Sequence, residues 1–337
     1  MRRLQLRRAL RSSGYYVLMF AIPIVLFTVM LLVFPEIGLK NIPSLFKQAL
    51  FPAVLSCGLM FNFASGNWDL AIGAESVLAA IVAGRISVQL GLGIPGIILG
   101  SVLVGVLCGA VSGFIYYLTK VPTIIVTVGL LFLYECIGSI VSGGAGVNIS
   151  ATSYVVLGSY PWNIIYGVAA MFLAYFIFYR TGFGYHVRAV GNNPNIARIN
   201  GIHATAIKAL CLVVSGGFAG LYAAASLCST GIMAATTQMG TMSIAFDAMM
   251  SYLVGKAISF NRNNLVVSMF AGALVMQNVK LLLLVTGVST AYVNAYIAVL
   301  ILLLMAVTSN PQVPEKIRHF FRKHKLSKKD GTASEHE

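Results

Sequence analysis

Residues 94–118 read IPGIILGSVLVGVLCGAVSGFIYYL, without one charged side chain. At about 1.5 Å of helical rise per residue, such a run crosses a hydrocarbon layer about 30 Å thick. Comparable apolar runs lie on both sides of it, at roughly 15–34, 47–64 and 70–88 before and 122–141, 161–179, 207–228, 243–257, 265–287 and 290–308 after. Lipid satisfies no peptide N–H or C=O, so spans of this kind are helices. The expected fold is all-α: a polytopic transmembrane helical bundle of about ten spans.

Composition agrees. Hydrophobic residues make up 58% of the 337 residues and charged residues only 9%, with a mean hydropathy of +0.86. A soluble domain carries about a quarter charged residues, so a water-exposed surface could not be covered here. The net charge of +14 raises nucleic acid as a partner, but its placement argues against that. Arg2, Arg3, Arg7, Arg8 and Arg11 precede the first span, and Lys316, Arg318, Arg322, Lys323, Lys325, Lys328 and Lys329 follow the last. Basic residues beside spans mark the cytoplasmic side. The inner connectors then hold Lys120, Arg180, Arg188, Arg198, Lys208, Lys256 and Arg262, and the outer ones only Lys40, Lys47 and Arg85. Both termini are expected in the cytoplasm, with a basic segment 1–14, a membrane domain 15–308 and a basic tail 309–337. The first span is read as uncleaved, because no A-x-A pattern follows its long apolar run. The expected location is a bacterial inner membrane, with lipid as the main solvent.

The longest internal polar stretch is 180–208, RTGFGYHVRAVGNNPNIARINGIHATAIK. Asn193 can cap a short helix, Pro194 can open it, and Gly201 can stop it. A helix over roughly 194–200 at the membrane surface follows, either a plain connector or a docking element for a cytoplasmic partner. The docking reading makes Asn193, Pro194, Asn195, Ala197, Arg198 and Gly201 the residues of interest.

Asp69, Glu75, Glu135, Asp247 and Lys280 sit in or beside the apolar runs, where a charge facing lipid costs a few kcal/mol. Asp247 and Lys280 suit the bundle interior. Asp69 and Glu75 border the broken segment 65–69, SGNWD, and suit the membrane interface. With Asn62 and Asn67, the residues Asp69, Asp247 and Lys280 are candidates for lining a translocation path, since discontinuous helices line such paths. Gly105, Gly109 and Gly113 repeat at helix-packing spacing, as do Gly216 and Gly220. Cys57, Cys108, Cys136, Cys211 and Cys228 lack a C-x-x-C pair and read as small buried hydrophobes. GLGIPG at 91–96 fits G-x-G-x-x-G without a preceding strand and reads as a turn. The chain has no nucleotide-binding G-x-x-x-x-G-K-[ST], and no metal-ligand spacing; His186 and His203 read as loop residues.

Four segments, in order, resemble the ribose-type permeases of ABC importers. GNWDLAIG at 66–73 is similar to that family's G-G-x-D-L-S-V-G, and VPTIIVTVG at 121–129 to its V-P-x-F-I-x-T-L-G. Gly191-Asn192-Asn193 through Ala197 to Gly201-Ile202 matches its G-x-N-x-x-A-A-x-x-x-G-I loop, and Phe246-Asp247-Ala248-Met249 its L-D-A-I segment. The resemblance covers nearly the whole chain. It implies a type II importer-like permease that carries a sugar-like solute, with nucleosides, a furanosyl signalling molecule and branched-chain amino acids as alternatives. It also implies two ATPase subunits that bind the ATP, a periplasmic or lipid-anchored solute-binding protein, a second permease, and a coupling helix at 193–201. The chain itself would need no cofactor. One departure stands out: the family's glycine-rich G-G-T-S-x-x-G-G-x-G is replaced by VGKAISFNRNN at 254–264, which points to a heteromeric pair of permeases. An ion-coupled secondary transporter is the competing class. A membrane-embedded enzyme is disfavoured because no catalytic constellation emerges.

Overall fold

A computed structural model describes residues 2–34, 38–150, 153–259 and 264–287, and beyond those only Tyr292, Ala295, Tyr296 and Val299. Residues up to Gly287 form one compact unit, which holds every element named below.

The apolar runs become helices: α1 Arg2–Val33, α2 Ile42–Ser65, α3 Ile72–Leu90, α4 Gly93–Thr119, α5 Thr123–Ser142, α6 Trp162–Arg180, α9 Ala204–Thr230, α10 Met242–Ile258 and α11 Leu265–Val285. Two short helices, α7 Gly182–Asn192 and α8 Pro194–Ile199, fill the polar stretch. Among the described residues, seven helices (α2–α6, α9 and α11) are long and apolar enough to cross a membrane. All but four residues of the expected tenth span, 290–308, lie outside the described residues. The eighth, α10, has only 17 residues, because it begins part-way down the bundle.

The chain turns where the sequence supplies left-handed glycines. Gly66, Gly91, Gly143 and Gly231 close α2, α3, α5 and α9 with positive φ, the conformation that costs glycine least. GLGIPG is therefore the α3–α4 turn, with Gly91 and Gly93 both at positive φ. At the same end of the bundle, β1 Val147–Asn148 pairs antiparallel with β2 Ile232–Met233.

Backbone contact between helices fixes the core. A Cβ on Gly105 would lie 2.2 Å from the Gly216 carbonyl oxygen, one on Gly109 2.4 Å from that of Leu212, and one on Gly113 2.6 Å from that of Ala209. Gly220 faces Ser101 O in the same way, at 2.3 Å. Helices α4 and α9 thus touch main chain to main chain along three turns, the approach that small residues permit in lipid. Prolines leave carbonyls to be satisfied. Pro52 has no N–H for Gln48 O, and the Gln277 side chain of α11 donates to that oxygen at 3.3 Å. A freed backbone group is so answered by a neighbouring helix. Asn278 ties α11 to α1 through Pro23 O at 2.9 Å. All five thiols are free; four are buried, whereas Cys136 is exposed.

Candidate functional site: a broken junction, a clamped turn and a surface helix

The junction between α2 and α3 is non-helical and buried, so each of its N–H groups needs an acceptor. Asn67 N donates to Asn62 O at 2.8 Å. Trp68 N donates to Thr123 Oγ1 at 2.9 Å and Leu70 N to Thr127 Oγ1 at 3.2 Å, both on the first turns of α5. Ala71 N donates to Asp69 Oδ1 at 3.1 Å. The other Asp69 oxygen accepts from Asn62 Nδ2 at 2.9 Å and from Ser215 Oγ of α9 at 3.0 Å. Asn67 Nδ2 donates to Lys208 O at 2.9 Å, also on α9.

Asp69 and Glu75 do not face outward as snorkelling side chains would: both are buried among the helices, and Glu75 accepts from Ser112 Oγ of α4 at 2.9 Å. Asn62, Asn67 and Asp69 are buried as well, each bonded to neighbours or to one another, although the Asn62 Oδ1 atom is left without a partner among the described residues. Asp247 and Lys280 differ. They form an ion pair between α10 and α11, with side chains 27% and 26% exposed. The sequence offered no motif for that pairing.

Glu135, absent from the candidate lining, has the most specific geometry. Its Oε2 accepts from Met239 N at 2.9 Å; its Oε1 accepts from Thr241 N at 2.9 Å and Thr241 Oγ1 at 2.7 Å. The buried carboxylate therefore clamps the turn that precedes α10. Nothing near Glu135 in sequence signals a contact made more than a hundred residues away.

The polar stretch 180–208 is more ordered than a single short helix. The α7 helix, unexpected from the sequence, carries His186, which is thus not in a loop. Val187 and Val190 are buried, and Phe183 stacks on Phe61 of α2. Asn193 Oδ1 accepts from Asn195 N and Ile196 N at 3.0 and 3.1 Å, Pro194 opens α8, and Gly201 follows at φ +79°. Ala197 is buried, whereas Ile196 and Ile199 project outward. Gly191 lies against the end of α2, so a Cβ there would fall 1.7 Å from Ala64 O. Lys120, Arg180, Arg188, Arg198, Lys208 and Lys256 all belong to helix ends or short helices on this side of the bundle. Among the described residues, no three His, Cys, Asp or Glu side chains group as a metal would need.

Long apolar helices packed around buried polar groups, with a short amphipathic helix pinned to one end, define a multi-pass membrane protein. The chain belongs to the family described as the permease component of the branched-chain amino acid transport system, whose sequence pattern matches residues 41–307. It is similar to the galactofuranose transporter permease protein of Escherichia coli, 24% identical over 76% of each chain. It also resembles the autoinducer 2 import system permease protein of Salmonella typhimurium, 24% identical over 79% of this chain and 77% of the other. The galactose/methyl galactoside import permease protein of Haemophilus influenzae is 23% identical, over 81% and 87% respectively. No solved structure matches.

Proposed function

We propose that this chain is the membrane permease of an ABC importer, forming the path for a sugar-like solute while partner ATPases bind and hydrolyse the ATP. The observation that carries this reading is the α7–α8 unit. It presents Ile196, Arg198 and Ile199 to the outside while Gly191 presses directly on the end of α2. An exposed apolar and basic helix fits a protein groove better than a plain connector does, because a connector needs no such contact with α2. Movement of α8 would reach the α2–α3 junction through one backbone contact. Asn193, Pro194, Asn195, Ala197, Arg198 and Gly201 are then the coupling residues, and α7 is their lever.

The basic helix ends beside α8 favour that face as cytoplasmic, with both termini on the same side and ten spans in all. Asn62, Asn67 and Asp69 hold the α2–α3 junction in shape beside the path, and Asp247 and Lys280 border the path itself. The solutes named for the three relatives support a sugar-like cargo; the family description keeps a branched-chain amino acid as the second reading. Gly255 packs so closely on α11 that a Cβ would lie 2.4 Å from Ser268 O, so the family's glycine is retained there for packing. The basic residues that follow mark a turn unlike the family's, which favours a second, different permease. A solute-binding protein completes the assembly.

The test is purification of the tagged chain from its own membrane in mild detergent, with its partners identified, followed by uptake in vesicles. Recovery of an ATPase and a binding protein, with uptake that needs ATP, supports the importer. Uptake that survives ATP depletion and collapses with a protonophore would instead establish an ion-coupled secondary transporter.

A further inference from the structure

Resting on the importer reading, we propose that the turn at residues 237–240, with Ser243 on the first turn of α10, is a solute-contacting surface of the path. Glu135 is the residue that positions it.

The turn lies deep in the bundle. Val147 of the β1–β2 pair packs at Gly84 of α3, whereas Thr241 packs at Gly73, where a Cβ would lie 2.3 Å from its carbonyl oxygen. Those two glycines are separated along α3 by about 16 Å, at 1.5 Å per residue. From the strand pair to Thr241 the chain runs inward without helix. Glu135 itself is about 18 Å along α5 from Thr123 by the same rise. Gln238 and Met239 both adopt left-handed φ, +59° and +62°. Such a conformation persists only where the surroundings over-determine it, and the Glu135 carboxylate, bonded to the N–H groups of Met239 and Thr241, does so.

What the turn exposes is polar. Thr237, Gln238, Gly240 and Ser243 are exposed on this chain. Irregular backbone at membrane depth is found only where protein buries it or water lines it, never against lipid. The Asp247–Lys280 pair gives a second, independent sign of water on this face. Asp247 follows Ser243 by one helical turn on α10, and a part-exposed ion pair against lipid would be costly. An amide and hydroxyls beside a mutually neutralised pair suit a neutral polyol, since Gln offers two donors and an acceptor. The partly buried rings of Trp68 and Phe246 border the same cluster as Met242 and can meet the apolar face of a sugar.

In the complete importer reconstituted in vesicles, Cys136→Ser removes the exposed native thiol. Gln238→Cys, Ser243→Cys and the exposed α4 control Leu103→Cys are then treated with a cationic, membrane-impermeant methanethiosulfonate. Thiols at 238 and 243 should react roughly tenfold or more faster than at 103, because the thiolate that reacts forms in water and not in lipid. Modification should block ATP-driven uptake from a labelled mixture of ribose, arabinose and galactose. Equally slow reaction at all three positions, in vesicles that still take up sugar on ATP, overturns the surface assignment and leaves the importer reading intact. Fast reaction at 238 in an assembly that takes up none of these sugars on ATP overturns the solute contact and the sugar reading together, leaving only a water-facing turn. Glu135→Gln should change the reaction rate at Gln238→Cys by roughly threefold or more by releasing one of the clamped N–H groups. It should also shift the ratio of galactose to ribose uptake with partner recovery intact. An unchanged rate and ratio overturn the positioning role. Thr241→Val, which deletes a single bond to the carboxylate, carries the same test if Glu135→Gln is not recovered from the membrane.

Discussion

Gly191 of α7 faces the carbonyl oxygen of Ala64 so closely that no side chain fits between them: a Cβ would stand 1.7 Å away. Ala64 is the second-last residue of α2, and Asn67 and Asp69 lie three and five residues beyond it. The surface helix and the broken junction are therefore joined by main chain, with no flexible side chain to absorb a displacement. On the proposed function, this contact is where ATPase movement reaches the spans.

Gly191→Ala should force α7 off the end of α2. Overpacking of this kind costs about 1–3 kcal/mol, and the thermal midpoint of the detergent-solubilised protein should fall by several degrees. Gly182→Ala is the control, because nothing lies within 4 Å of its Cβ position. Equal midpoints for the two variants would refute the account.

Ile199 is 85% exposed, which is unusual for an isoleucine on the polar side of a helix bundle. Ile199→Asp should leave insertion and thermal stability unchanged while weakening ATPase recovery. A fully buried isoleucine is worth about 1.5–3 kcal/mol, equivalent to roughly tenfold or more in affinity. Arg198→Glu should act in the same direction by an amount that ranges from nothing to several kcal/mol. Normal co-purification and uptake in both variants would sink the docking role of α8.

These relationships were unequally visible in the sequence. The spans and their charge asymmetry were legible because a bilayer demands long apolar helices and leaves basic residues at their ends. Asn193, Pro194 and Gly201 were legible because capping is local chemistry. The α7 helix was not expected, although Phe183, Val187 and Val190 recur at helical spacing; the glycines at 182, 184 and 191 mask the pattern. Those at 184 and 191 are there for close packing, since a Cβ on Gly184 would lie 2.1 Å from Phe178 O. Asp69 reads as an interface residue because it borders the broken segment 65–69, and its buried partner Ser215 lies too far along the chain to be seen. The same distance in sequence hid the Glu135 clamp, and only tertiary placement reveals either.

Asp69→Ala removes the acceptor shared by Asn62 Nδ2, Ser215 Oγ and Ala71 N. Each buried donor left unmet costs about 1–3 kcal/mol, so the variant should be poorly folded. Adding Ser215→Ala removes one of those donors. The double variant should then recover part of the lost thermal stability, whereas Ser215→Ala alone is mild. A double variant worse than the sum of the two singles would contradict this arrangement.

The Asp247–Lys280 pair permits a sharper test of whether charge or shape matters on this face. Lys280→Met leaves Asp247 uncompensated on a helix within the apolar bundle, and Asp247→Asn leaves Lys280 so. Breaking a buried pair typically costs about 3–5 kcal/mol, while removing both charges together is often near neutral; with each side chain about a quarter exposed, the single losses should fall below that range. In a double-mutant cycle read by thermal midpoint, Asp247→Asn with Lys280→Met should be more stable than either single variant. Uptake should separate the two roles. If the pair only holds α10 to α11, the double variant transports normally. If it lines the path, the double variant folds well yet transports more slowly, and the second result is the one expected, because both side chains remain part-exposed on the same face as Ser243.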